Sequence, residues 1–181
     1  MTPSFRKNEI QVLFEQYYVS LVEFSWRILK CDEAARDIVQ DAFVKLLERS
    51  GQLQDNGNAQ KSYLYTTVKN ASLNYLRREK VANSYMEFSN YKDYEDQSLL
   101  DALIYAELVG DLHKAVDSLP KVCQDVCRLS YIDEKSNMEI AENFNVSVNT
   151  VKTHKQRALK LLRERLSPVY KTAKVIFPFF F

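Results

Sequence analysis

Apolar residues recur at helical spacing along most of this chain, and the breaks in that rhythm mark out a series of amphipathic helices. From Phe5 to Lys30 the stripe is Ile10, Phe14, Tyr17, Leu21, Phe24 and Ile28. A second helix is expected from a cap at Asp32 to about Arg49, with Ala35, Ile38, Val39, Ala42 and Leu46 inward and Gly51 as its stop. The polar stretch Gly51 to Gln60, with its Asn56-Gly57 turn signal, reads as a loop. Lys61 to Lys80 returns to helical period, with Leu64, Val68, Ala71 and Tyr75 facing a core. The period then lapses through NSYMEFSNYKDYEDQS, a linker-like run, and resumes from Leu99 to Leu112, which is expected to open a second domain.

The richest pattern lies between Leu119 and Leu166: a helix, a short helix from Asn137 to Phe144, a turn, and a longer basic helix. Asn145 stands where the turn needs a residue that tolerates positive φ, and Ser147 is placed to cap the following helix. Two stripes separate beyond the turn. Val148, Val151, Ala158, Leu162 and Leu166 pack; Asn149, Lys152, Thr153, Gln156 and Lys160 are left outside. This is helix-turn-helix logic, in which amide and hydroxyl groups read base edges and lysines hold phosphates. The expected fold is all-α: two small helical domains joined by an acidic linker, the C-terminal one containing the helix-turn-helix. Domain limits are expected at 1–82, 83–110 (linker), 111–167 and 168–181 (a hydrophobic tail).

Composition changes this picture little. Three Gly and four Pro in 181 residues leave little room for sheets. The net charge of +1 alone argues against a nucleic-acid binder, but it conceals segregation. Asp32 to Glu48 carries five acids against Arg36 and Lys45; Lys61 to Lys80 carries five bases against Glu79. Between Val81 and Asp111 seven acids oppose Lys92, and between Val151 and Leu166 six bases oppose Glu164. The acidic helix bears Asp37, Gln40, Asp41 and Val44 on one face, a pattern that fits a solvated surface or a docking face for a basic partner. Tyr65, Asn70, Asn74, Arg77 and Arg78 suit an opened nucleic-acid strand, although a solvated basic face has the same pattern. The acidic linker either stays solvated or shields the DNA-binding faces.

Cys31, Cys123 and Cys127 lack paired disulfide spacing, which fits a reducing compartment, and His113 and His154 are not placed to complete a metal site with the last two. No leader and no apolar run near 20 residues is present, so a soluble cytoplasmic protein is expected. No metal, cofactor, small-molecule substrate or catalytic constellation is expected, and hence no enzyme.

The segments DEAARDIVQDAFVKLLE, SYLYTTVKNASLNYLRR and LPKVCQDVCRLSYIDEKSNMEIAENFNVSVNTVKTHKQRALKLLRE, in that order around an acidic linker, resemble the extracytoplasmic-function sigma factors of the sigma-70 family. The resemblance implies a promoter-specificity subunit of bacterial RNA polymerase. Asp37, Gln40, Asp41 and Val44 would dock on the clamp helices of core polymerase, with the flap as a further contact. Tyr65, Asn70, Asn74, Arg77 and Arg78 would meet the minus-ten element; Asn149, Lys152, Thr153, Lys155, Gln156 and Lys160 would meet the minus-thirty-five element. It further implies an anti-sigma factor as regulator, which would hold the protein at the inner membrane. Tyr63 stands where the family commonly has Trp. The tail ending in Phe179, Phe180 and Phe181 lies outside the resemblance. A LuxR-type regulator shares the TVKTH-like helix but requires a sensory or receiver domain before it.

Overall fold

The computed structural model describes residues 3–49, 57–83 and 96–170; the Gly51 end of the expected loop, most of the linker and the Phe-rich tail lie outside these. The described residues form seven α-helices and no strand: α1 (Pro3–Leu29), α2 (Asp32–Arg49), α3 (Gly57–Asn83), α4 (Asp96–Asp117), α5 (Lys121–Tyr131), α6 (Asn137–Phe144) and α7 (Val148–Tyr170). The chain divides into two compact units, Met1–Gly110 and Asp111–Phe181.

In the first unit α1, α2 and α3 each pack on the other two. Lys30, between α1 and α2, takes φ 56°, the left-handed conformation that ends many helices, and its amide donates to the Trp26 carbonyl. Leu21, Phe24 and Ile28, Val39, Ala42 and Leu46, and Leu64 and Val68 form the core. The α1 stripe runs through Leu13, 7% exposed, rather than Phe14, which lies half outside and stacks on Tyr18. One polar pair sits inside: the hydroxyls of Ser25 and Ser72 are 2.9 Å apart and fully buried.

Three expectations change. Asp32 is the first residue of α2 rather than its cap, and it pairs with Arg36 at 2.8 Å. α3 begins at Gly57, so Gly57 to Gln60 are helix and not loop. α4 begins at Asp96, inside the expected linker, and its first half does not open the second domain. Leu99, Ala102 and Ala106 are buried in the core of the first unit, because they share one face of α4 at helical spacing.

The second unit holds two small adjoining cores. Ala115, Leu119, Cys123 and Cys127 pack with Ala158 and Leu162; Val126, Ile140 and Ala141 pack with Val151. Asp117 ties its first turns together, accepting from Gln124 Nε2 at 2.9 Å and Arg128 Nη2 at 2.8 Å.

Candidate nucleic-acid and polymerase interfaces

The α6–α7 turn is fixed by local chemistry. The Ser136 hydroxyl accepts from the Glu139 amide at 3.3 Å, and the Glu139 carboxylate accepts from the Ser136 amide at 2.8 Å, a reciprocal cap on α6. These bonds hold the Glu139 carboxyl below the usual carboxylate range. The S-x-x-E spacing of Ser136 and Glu139 is the sequence signal for this cap. Asn145 ends α6 at φ 53°, ψ 47°, a conformation its residue type tolerates, and its amide bonds back to Ala141 and Glu142. The Ser147 hydroxyl then accepts from the Thr150 amide at 3.1 Å and starts α7.

This geometry sorts α7 into a buried and an open face. Val151, Ala158 and Leu162 are buried, while Asn149, Lys152, Thr153, Gln156 and Lys160 are exposed. The Thr153 hydroxyl donates to the Asn149 carbonyl at 2.9 Å. Lys155 is a correction to the expected DNA-facing set. It is half-buried, its ammonium donates to Asn137 Oδ1 at 3.2 Å and lies 5.1 Å from the centre of the Tyr131 ring. Its position on α7 turns it toward α5 and α6, so it ties the motif together. His154 is turned inward as well, its Nδ1 lying 3.9 Å from Cys123 Sγ. Burial pushes the Cys127 thiol up, with Lys155 opposing. Among the described residues no three His, Cys, Asp or Glu side chains are grouped to hold a metal ion.

In the first unit Asp37, Gln40, Asp41 and Val44 are exposed along α2, Val44 by 53%. Leu47, one turn beyond Val44, is 49% exposed and lengthens the apolar part of this face; its i+3 spacing was the signal missed. A leucine and a valine left in water beside carboxylates are what a protein contact would cover.

Between α2 and α3 lies an open cleft of about 650 Å³, lined by Lys45, Glu48, Arg49, Tyr63, Thr66, Thr67, Asn70, Ala71 and Asn74. Asn70 and Asn74 thus share a concave site with a cationic and an aromatic group, the Arg49 guanidinium lying 6.0 Å from the Tyr63 ring centre. Arg77 donates to Asn74 Oδ1 at 3.0 Å and continues the face, and Arg78 is exposed beside it. The sequence reading missed Lys45 and Arg49, because nothing in the α2 pattern shows that its end abuts α3. Tyr65 does not join this group. It is 9% exposed and meets Phe24 edge-on at 5.6 Å, since its place on α3 aims it at α1.

Comparison with known proteins places the chain in one family. The Sigma-70 region 2 family matches residues 13–81, and the Sigma-70, region 4 family matches residues 110–162. The RNA polymerase sigma factor SigV of Bacillus subtilis is 32% identical over 143 residues, 77% of this chain and 80% of its own. The ECF RNA polymerase sigma factor SigW of the same organism is 28% identical over 160 residues, 83% of this chain and 84% of its own. Among solved structures, the sigma factor RpoE of Bartonella quintana, in complex with the anti-sigma factor NepR, aligns over 90% of this chain and 98% of its own. There the identity is 19% and the TM-score 0.37. The chain belongs to the sigma-70 family, among its ECF sigma factors.

Proposed function

We propose that this chain directs bacterial RNA polymerase core to particular promoters, reading minus-thirty-five duplex with α7 and opening the minus-ten element with α3. The observation that carries it is the pairing of two sites in one chain of this family. One unit presents a capped helix-turn-helix with a polar, basic outer face; the other presents an acidic-apolar face on α2 beside a cationic, amide-lined cleft. The cleft has the volume and donors to take a nucleobase turned out of the stack. Such flipping costs a few kcal/mol, which docking on polymerase would offset. Asp37, Gln40, Asp41, Val44 and Leu47 are the docking set, and Asn70, Asn74, Arg77 and Arg78 the minus-ten set. Asn149, Lys152, Thr153, Gln156 and Lys160 are the minus-thirty-five set. In this role the chain itself catalyses nothing. An anti-sigma factor is the regulator this reading expects.

A LuxR-type regulator is not supported: the sigma-70 region 2 match occupies the place where a sensory or receiver domain would stand. The test is transcription from fragments of the gene's own upstream region by this protein with sigma-free core polymerase. Defined transcripts from the wild type, lost in Asp37→Ala/Gln40→Ala, are expected. Duplex binding without any initiation would refute the proposal.

A further inference from the structure

α4 is seated more closely than its acidic, linker-like composition requires. Leu99, Ala102 and Ala106 are buried in the first unit, and at Gly110 the helix backbone comes against α1. A Cβ at Gly110 would lie 1.9 Å from the Ser20 hydroxyl and 3.1 Å from the Ser20 Cβ. Glycine is unfavourable within a helix, so its presence here answers to that close approach.

The surface beneath α4 is cationic and aromatic. Glu107 pairs with Lys61, and Tyr105 lies under the Arg27 guanidinium at 3.4 Å. The contact is incomplete. A cleft of about 500 Å³ remains, with Leu99, Leu100 and Leu103 on its α4 side and Lys61, Tyr65 and Lys69 on its α3 side. The Lys61 and Glu107 side chains are 37% and 40% exposed, so water and salt screen their attraction and it holds α4 only weakly. Two lysines on one helix face, hydroxyls of Ser62 and Thr66 beside them and a tyrosine ring beneath have the chemistry of a single-strand track.

We propose that α4 is a displaceable cover over a single-stranded-DNA-binding face on α3, the Glu107 carboxylate occupying Lys61 where a backbone phosphate would sit. The proposal rests on the reading of this chain as a promoter-opening subunit. It adds Lys61 and Lys69 to the strand-binding residues. A strand engaging Lys61 displaces the Glu107 carboxylate from it, and α4 keeps only its short apolar stripe. The competing account is a permanently seated fourth core helix.

Charge-neutral variants separate the two, because removing an acid would tighten DNA binding by simple electrostatics. Full-length Gly110→Leu, which pushes α4 off Ser20, and Leu103→Ala, which weakens its hold without crowding, are compared with wild type for a fluorescent 12-nucleotide single-stranded DNA at low salt. Roughly tenfold tighter binding is expected, the gain being the reciprocal of the fraction of protein that is open in wild type, about one in ten. It should disappear when Lys61→Ala/Lys69→Ala is added. Hydrogen exchange should show α4 amides from Leu99 to Gly110 opening as the strand binds. Unchanged affinity in Leu103→Ala and in any folded Gly110→Leu overturns the cover, as does a bound strand that leaves α4 protected. Wild-type transcription with core, run in parallel, keeps the readings apart: initiation without any gain in the variants refutes the cover alone, and no initiation refutes the function.

Discussion

Ser136 and Glu139 show how one pair of side chains can set the start of a recognition unit. Because the folded state holds the Glu139 carboxyl below its ordinary value, its contribution to stability is fully present above the unfolded pKa and is lost as pH falls through the folded one. Acidification below the ordinary carboxylate range should therefore loosen the start of α6. In Ser136→Ala an NMR titration should find the Glu139 pKa moved up toward that of an ordinary glutamate, and no movement would disprove the cap's role. Thiol chemistry gives a second residue-level prediction. Cys31 is exposed while Cys123 and Cys127 are buried, and burial raises the Cys127 pKa, so it holds less thiolate. A thiol reagent on the native protein should modify Cys31 quickly and the other two only on unfolding, as peptide mapping would show.

For the elements, the turn between α6 and α7 is the most exacting. Asn145 is held at φ 53°, so Asn145→Gly should leave stability nearly unchanged, whereas Asn145→Val should cost about 1–2 kcal/mol. Ser147→Ala removes the α7 cap and should cost about 1 kcal/mol in urea unfolding. Both positions were legible in the sequence because turn and cap chemistry is local: the residue type and its neighbours decide it. The two faces of α7 were legible for the same reason, a fixed period of 3.6. Lys155 was not, since its turn away from the outer face depends on Tyr131 and Asn137, which lie on other elements. Tyr65 was misplaced likewise, its neighbours on α3 giving no sign that Phe24 lies beneath it. The first half of α4 was given to the second domain because its helical period resumes after the linker-like run, and the spacing of Leu99, Ala102 and Ala106 does not say which core they join.

At the scale of the molecule, a net charge of +1 is the sum of opposed helices, and DNA affinity should follow the local charge rather than the total. Duplex binding should weaken steeply with salt. Lys152→Ala and Lys160→Ala should each lower the slope of log K against log salt by about 1, and a slope unmoved by both would remove α7 from the phosphate contacts. The helix that crosses from one unit to the other has a consequence for synthesis. The Sigma-70 region 2 match ends at residue 81, but the first core is not closed until Leu99, Ala102 and Ala106 are in place. A nascent chain leaving the ribosome therefore passes through an interval in which Phe24 and Tyr65 have emerged without their cover. The length of that interval is set by the time translation needs to lay down the acidic stretch.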